Sequence, residues 1–397
     1  EELFPSQKRT RGGVLGHKGF SKRLPGKVDK HYHLFFHHCP NCQTPLKQTS
    51  VTTSHTITDI PAPKETKAIV SQYEAERQWC PTCKREVYAN PSGVIPNCRL
   101  GVNLVTQILI WKYRMKLPHK AIVDSLFSTY SLGISTGGIA QILHRTKKYF
   151  GRDYEKILKE IRGSPVKHAD ETGWRISGIN GWLWEFVKKD AVYYTIEETR
   201  GKGVPVKILG EIKETDVLVH DDYSSYQRLP GQHQSCWAHL LRESHEQEML
   251  AFASKDMKNL HVELKEIFSA LSEIVQSPFN LFRRKENHQR FMEKIGEIVQ
   301  RKYQTLDAQA VQKRIKHQEN NLLTALLYEG VPLTNNLAER NIRPMVISRK
   351  ISGGSRSTNG AETFAVNSSI VQTIKLRNQP LFLTLKESIL KGATGKN

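Results

Sequence analysis

The fold of this chain is decided by the stretch 166–174, which reads Val-Lys-His-Ala-Asp-Glu-Thr-Gly-Trp. We predict a strand over residues 166–170 that ends in the carboxylate of Asp170. A second buried strand is predicted over 216–221, and it ends in Asp221. Neighbouring strands lie about 4.8 Å apart, so carboxylates at their ends can approach the same point.

The residues around these two strands predict the rest of a mixed sheet. Aromatic and β-branched runs at 181–187 and 191–196 are typical of a hairpin pair. A short helix is predicted over 204–212, and a further strand over 232–238. The resulting order, three strands, a helix and then two strands, indicates an α/β sheet with a crossover helix.

A third acidic motif begins a predicted helix at 334–344, which reads Thr-Asn-Asn-Leu-Ala-Glu-Arg-Asn-Ile-Arg-Pro. On a helix, Asn335, Glu339 and Arg343 line one face. An amide, a carboxylate and a guanidinium together suit a site for metal and phosphate. The alternative is a capping box between residues 336 and 339. We expect Pro344 to end or kink this helix.

Two strand-end aspartates and a helical glutamate can converge on a pair of divalent cations. Such a pair, about 3.5–4 Å apart, promotes in-line attack on a phosphodiester. Mg²⁺, or Mn²⁺ in its place, suits carboxylate ligands and keeps waters for substrate phosphates. The alternative for Asp170 and Asp221 is turn formation, because aspartate is common where strands stop.

The charge of the chain points to a polyanionic partner. In 397 residues, 59 Lys and Arg face 39 Asp and Glu, giving a net charge of +20. This excess favours nucleic acid as the partner over a merely solvated basic surface. No apolar run approaches the ~18 residues of a membrane span, so we expect no membrane association. The sequence begins at Glu1 without a signal-peptide pattern, and we expect an upstream segment.

The N-terminal 30 residues predict a flexible basic arm. Residues 8–30 contain eight Lys or Arg, one Asp and five glycines. Such a segment can order on a phosphate backbone, and Lys18 is a candidate contact. A terminus that is disordered without binding anything is the alternative.

Four of the six cysteines form two CPxC pairs, Cys39 with Cys42 and Cys80 with Cys83. Two knuckles of this spacing supply four thiolates to one tetrahedral ion, so we predict one structural Zn²⁺ in a zinc ribbon over 31–98. A redox role is the weaker alternative, and one of the histidines before Cys39 is an alternative ligand. Six cysteines are too few for a disulfide scaffold, which indicates a reducing cytoplasm.

The remaining segments are predicted to be mostly helical. Residues 99–162 carry a helical apolar stripe and a glycine-containing turn, with Ser135 or Thr136 as a helix cap, and resemble a helix-turn-helix. Residues 240–330 predict an all-helical insertion. The predicted domains are an arm (1–30), a zinc ribbon (31–98), a helical DNA-binding domain (99–162), a catalytic core in two parts (163–239 and 331–376) split by that insertion, and a C-terminal helix and tail (377–397).

Several long motifs in one order resemble those of transposases of the insertion sequence 66 family, over nearly the whole chain. They are GHKG at 16–19, the paired CPxC knuckles, DETGW at 170–174, DDYSSY at 221–226, CWAHLLRE at 236–243 and NNLAERNIRP at 335–344. The resemblance implies an RNase H-like core with an Asp-Asp-Glu triad, which falls on Asp170, Asp221 and Glu339. The second family motif usually reads Asp-Gly-Tyr, and here Asp222 takes the glycine place. The third usually begins with Asp, and here Thr334 replaces it.

These observations together predict a multidomain α+β DNA transposase that cleaves strands and transfers them with two cations per site. The expected partners are terminal inverted repeats and target DNA, bound by a homodimer in the bacterial nucleoid. The alternatives are a non-catalytic zinc-ribbon DNA-binding protein and an RNase H-like nuclease. Cys236 and Trp237 are expected to be buried, with His239 near the catalytic pocket. The candidate DNA contacts are Lys18, Arg242, Asn335, Arg340, Arg343, Arg349, Lys350 and Arg356.

Overall fold

The computed structural model describes residues 45, 66–71, 77–82, 84–88, 93–96 and 98–395. The chain divides into two compact units, Glu1–Glu65 and Thr66–Asn397. The basic arm with Lys18, and the ligand candidates Cys39, Cys42 and Cys83, lie outside the described residues. Cys80 ends the short strand β1 (Arg77–Cys80), which pairs antiparallel with β2 (Arg85–Tyr88).

The predicted helical segment after residue 99 forms four helices. They are α1 (Val102–Leu109), extended by one π-helical turn (Ile110–Arg114), α2 (His119–Tyr130), α3 (Thr136–Tyr149) and α4 (Gly151–Arg162). Ser135 caps α3 as expected, because its hydroxyl accepts the backbone N–H of Gly138 at 3.0 Å.

The central sheet has five strands. In chain order its elements are β3 (Val166–Ile176), β4 (Ile179–Lys188), β5 (Ala191–Glu197), α5 (Gly203–Leu209), β6 (Val217–His220), α6 (Ser224–Gln227) and β7 (Gln232–Ser235). The strands lie side by side in the order β5-β4-β3-β6-β7. The first three form an antiparallel meander, and β6 and β7 run parallel to β3. The predicted mixed sheet with a crossover helix is therefore correct.

The prediction that the first strand ends at Asp170 is wrong. Strand β3 continues to Ile176 because its second half pairs with β4 up to the tight turn that joins Ile176 to Ile179. The helix α5 ends at Leu209 rather than at residue 212, because the next residue, Gly210, has a left-handed φ of 66° that does not continue a helix. Strand β7 also stops early, at Ser235, since a helix begins at Trp237.

The segment after the sheet is helical, as predicted for 240–330. It comprises α7 (Trp237–Glu248), α8 (Lys255–Gln276), α9 (Leu281–Gln300), α10 (Leu306–Gln318) and α11 (Thr324–Leu327). These helices bury a hydrophobic core of their own, which also takes in Val217 and Val219 of β6. The helices that follow the sheet therefore pack directly on one face of it.

Three helices complete the chain, α12 (Asn336–Ser352), α13 (Thr358–Leu376) and α14 (Leu381–Thr394). Helix α13 is buried along most of its length and packs on β5 and α3. The helices expected to form a separate DNA-binding domain share this core with the sheet, as Ile139 of α3, Tyr194 of β5 and Phe364 of α13 illustrate.

Helix α12 does not end at Pro344 but continues to Ser352. Its packing on β3 and β4 compensates for the missing proline N–H. The loop that follows docks on the end of β3, where Ser355 N–H donates to Arg175 O at 2.8 Å. Gly354 permits this approach, because a Cβ there would lie 2.4 Å from that carbonyl oxygen. In the described part of the chain, no helix is long and apolar enough to cross a membrane.

Candidate active site

The sheet brings the two aspartates of the acidic motifs to the same place. Strands β3 and β6 pair in parallel with His168 opposite Val219, so two residues later Asp170 faces Asp221. Asp221 follows the last residue of β6, and its Oδ1 accepts the backbone N–H of Tyr223 at 3.2 Å. The turn role considered for this aspartate is therefore real, and it leaves the second carboxylate oxygen available.

A buried asparagine fixes the start of helix α12 against the same strand. Asn335 donates from Nδ2 to the carbonyl of Ala169 at 2.9 Å, and its Oδ1 lies 3.0 Å from Nδ1 of His168. Burial lowers the pKa of His168 to about 4, so the neutral ring donates its Nδ1–H to the amide oxygen. These contacts bring Glu339, one turn further along α12, close enough to Asp170 for its charge to act on that carboxyl group.

The three carboxylates interact electrostatically. Burial raises the pKa of Asp170 to about 8, and the negative charges of Asp221, Glu171 and Glu339 add to this shift. Helix α12 is capped at Asn335 without a side-chain cap hydrogen bond, so the alternative capping box does not form, and Oε1 of Glu339 is buried without a hydrogen-bond partner. Clustered carboxylates with an unpaired oxygen are the donor set that a hard divalent cation prefers. The residues present therefore fit Mg²⁺ or Mn²⁺.

Helix α7 adds an imidazole and a guanidinium beside Glu339. Nδ1 of His239 lies 3.5 Å from Oε1 of Glu339, and Nη2 of Arg242 lies 3.7 Å from Oε2. Burial lowers the pKa of His239, and the nearby charges of Glu339 and Asp221 partly offset this. Cys236 and Trp237 are buried, as predicted. Sγ of Cys236 accepts the backbone N–H of Asn335 at 3.1 Å and so joins α7 to α12.

Asp222, at the place where the family motif usually has glycine, points elsewhere. Its φ is 76°, a left-handed conformation that aspartate tolerates better than most residues. Its carboxylate accepts from Nε2 of Gln227 at 2.7 Å and from Nε2 of Gln318 at 2.9 Å. One oxygen thus bonds to α6 and the other to α10, which favours Asp221 as the member of the site.

Glu171 is a structural residue that the sequence reasoning missed. It lies on the opposite face of β3 from Asp170 and accepts hydrogen bonds from Arg200 and from the hydroxyl of Tyr226. The Arg200 guanidinium also stacks 3.8 Å from the centre of the Tyr223 ring. Glu171 belongs to the DETGW motif and Tyr226 to the DDYSSY motif, so the hydrogen bond between them joins the two motifs.

Glu185 is a second carboxylate that the sequence reasoning missed. It stands directly opposite Asp170 in the β3–β4 pairing and is fully buried, with neither oxygen hydrogen-bonded. Burial raises its pKa well above the ordinary value, and the charge of Asp170 adds to the effect. A single acid within Trp-Leu-Trp-Glu-Phe-Val was the available signal.

The candidate phosphate contacts divide into two groups. Five have exposed side chains in the structure: Arg242, Arg340, Arg343, Lys350 and Arg356. Two others are engaged internally, which corrects their assignment. Asn335 is fully buried between α12 and β3. Arg349 donates from Nη1 to Thr172 Oγ1 at 3.0 Å and to the carbonyl of Gly173, so it binds the strand.

The chain is similar in sequence to known proteins. A family profile described as "Transposase IS66 family" matches residues 97–363. Two proteins of Sinorhizobium fredii are similar. "Uncharacterized protein y4qI" is 23% identical over 273 residues, covering 60% of this chain and 50% of its own. "Uncharacterized protein y4jD" is 23% identical over 409 residues, covering 90% of this chain and 76% of its own. The chain thus spans half the length of the first relative. Because the profile covers well over half of the sequence, the chain belongs to the IS66 transposase family.

Proposed function

We propose that this chain is a DNA transposase that cuts the ends of its element and joins them to target DNA. The observations that carry the proposal are the parallel pairing that sets Asp170 beside Asp221 and the electrostatic effect of Asp221 and Glu339 on Asp170. The order β5-β4-β3-β6-β7, with an antiparallel meander followed by two parallel strands, supports an RNase H-like core. This is the arrangement that the Asp-Asp-Glu pattern requires.

Each residue has a role that follows from its position. Asp170 and Asp221 are held by adjacent strands, and Glu339 by the anchored start of α12, so all three would hold the cations without reorganising. Two Mg²⁺ or Mn²⁺ ions bound there supply an activated water or 3′-hydroxyl and stabilise the leaving oxygen. His239 lies 3.5 Å from Glu339, with neither facing atom hydrogen-bonded, so both are available to a cation or to the DNA. Arg242 is half exposed beside Glu339 and orients the phosphate that enters.

Basic side chains around this site bind the phosphate groups of the DNA. The exposed side chains of Arg340, Arg343 and Lys350 follow Glu339 along α12, and Arg356 lies in the loop after the helix. We include in the DNA-binding surface the basic arm with Lys18. We also include a ribbon in which Cys39, Cys42, Cys80 and Cys83 bind one Zn²⁺. These groups would contact the terminal inverted repeats and the target, in a homodimer acting in the cytoplasm at the nucleoid.

A nuclease with the same core is the second candidate, since the same carboxylates support hydrolysis. The products separate the two functions. Purified chain, Mg²⁺ and labelled duplexes carrying the element ends should give 3′-hydroxyl ends that become joined to a second duplex. Asp170→Asn should give neither product. Glu329→Gln, a change at an exposed position, should behave as wild type. Hydrolysed ends without any joined product would favour the nuclease. Binding without cleavage by the wild type would favour a non-catalytic DNA-binding protein.

A further inference from the structure

We propose a second zinc site, distant in sequence from the cysteine pairs, in which His245, Glu248 and His261 bind one Zn²⁺. His245 and Glu248 lie on the last turn of α7, and His261 lies on the early part of α8. The site needs neither the catalytic carboxylates nor the proposed ribbon.

The spacing of the ligand atoms fits a tetrahedral ion. Nδ1 of His245 lies 3.2 Å from Oε2 of Glu248, and Nε2 of His261 lies 3.4 Å from the same oxygen. One ligand atom from each residue can be chosen so that all lie within 4.8 Å of one another. With bonds of about 2.0–2.1 Å, ligands of a tetrahedral zinc are roughly 3.3–3.4 Å apart. The 3.2 Å contact is a hydrogen bond between His245 and Glu248, and the ion would replace it.

A neighbouring serine aims the buried histidine at this point. The Ser244 hydroxyl donates to the carbonyl of Leu241 at 3.0 Å, so its oxygen accepts the Nδ1–H of His261 at 2.8 Å. This leaves Nε2 of His261 directed at Glu248. An outer hydrogen bond of this kind fixes the tautomer and ring orientation in protein zinc sites.

The cluster is open to solvent on one side. The side chains of His245 and Glu248 are 58% and 26% exposed, whereas that of His261 is only 7% exposed. Two imidazoles and one carboxylate leave a fourth position for water or another group. Burial lowers the pKa of His261, the charge of Glu248 opposes this, and the positive charges of His245 and Lys265 lower the pKa further. The ion would join the end of α7 to α8, and so steady the helix that carries His239 and Arg242.

Zinc content after equilibrium dialysis of the full reduced chain tests this site. Wild type should hold one more zinc than His245→Ala or Glu248→Gln at low micromolar free zinc. Ser244→Ala should bind this zinc about 10- to 100-fold more weakly. Zn²⁺ should raise the Tm of wild type more than that of His245→Ala. The matched control is His288→Ala, a histidine of α9 outside the cluster. Equal zinc content in wild type and His245→Ala, or an equal loss in His288→Ala, would overturn the proposal.

We infer separately, on the basis of the proposed function, that Glu185 is a fourth carboxylate of the cation site. Paired residues in antiparallel strands project to the same face, so Asp170, Glu185 and Tyr194 form one row across the sheet. Helix α12 packs over β3 and β4 on this face, as the hydrogen bond from the Tyr194 hydroxyl to Asn341 O records. Natural proteins rarely keep a buried carboxylate with both oxygens unpaired, and a cation beside Asp170 supplies the missing partner.

Mn²⁺ titration followed by electron paramagnetic resonance tests this role without relying on activity. Glu185→Gln should weaken Mn²⁺ binding at least tenfold, and Glu329→Gln should leave it unchanged. If Asp170→Asn abolishes binding and Glu185→Gln leaves the affinity at the wild-type value, this inference is wrong while the proposed function stands. If Asp170→Asn binds as much Mn²⁺ as wild type does, the proposed cation site is wrong, and the role of Glu185 is wrong as well.

Discussion

Replacing Asp170, a ligand of the proposed cation site, should make the metal-free protein more stable. The pKa of Asp170 rises from its ordinary value of 3.8 to about 8 on folding, because the carboxyl is buried among other carboxylates. The unfolded chain releases the proton near pH 4, whereas the folded chain retains it to about pH 8. The free energy of unfolding therefore falls as the pH rises through this window. At about 1.36 kcal/mol per pKa unit, the cost at pH 7 is at most ~4 kcal/mol.

Solvent reaches part of the site, so we expect about half of this cost, ~2 kcal/mol. Asp170→Asn removes it, and urea unfolding in EDTA at pH 7 should show the variant to be more stable by that amount. Near pH 4 the two proteins should differ little. Saturating Mg²⁺ should stabilise wild type more than Asp170→Asn, because the ion cancels the repulsion only where the carboxylate exists. Glu329→Gln serves as the control. If Asp170→Asn is less stable than wild type in EDTA at pH 7, the electrostatic reasoning is refuted.

Three further outcomes are expected. Asp221→Ala should abolish end cleavage with DNA binding intact, whereas Asp222→Ala should cost about 1–3 kcal/mol of stability by leaving the amide of Gln318 without its acceptor. The opposite pattern in a cleavage assay would move the site to Asp222. Cys39→Ser should lower the zinc content by one per chain in elemental analysis, and an unchanged content would exclude the cysteine site. DNA affinity measured by fluorescence anisotropy should fall about 10³-fold or more between 50 and 200 mM salt, and a flat dependence would argue against phosphate binding.

The fold of the catalytic sheet was largely predictable because its strands carry strong local patterns. Runs such as Trp-Leu-Trp-Glu-Phe-Val and Asp-Val-Leu-Val-His bury both faces and end at clear turns. The end of β3 was missed because Asp170, Glu171 and Gly173 belong to residue types that are depleted in strands. They remain in the strand through pairing with β4, which is a tertiary effect. The continuation of α12 through Pro344 has the same origin.

The acidic residues of the candidate site were identifiable by type and position, but their supporting contacts were not. We predicted Asn335 and Arg349 as DNA contacts because both are polar and lie near Glu339 in the sequence. The structure uses them to attach α12 to β3. Glu185 was missed since its importance depends on cross-strand register, which the sequence alone does not specify. A separate domain over residues 99–162 was expected from their helical apolar stripe and glycine-containing turn, whereas long-range apolar contacts join them to the sheet.

The central claim is that Asp170, Asp221 and Glu339 together carry metal-dependent DNA cleavage, and one single-turnover assay tests it most directly. Labelled element-end duplex is incubated with saturating wild type or Glu339→Gln, with and without Mg²⁺, after bound DNA has been quantified. We predict cleavage by wild type in Mg²⁺ only, and at least a 10³-fold slower rate for Glu339→Gln at equal DNA occupancy. Cleavage by Glu339→Gln at the wild-type rate, or cleavage by wild type in EDTA, would contradict the account.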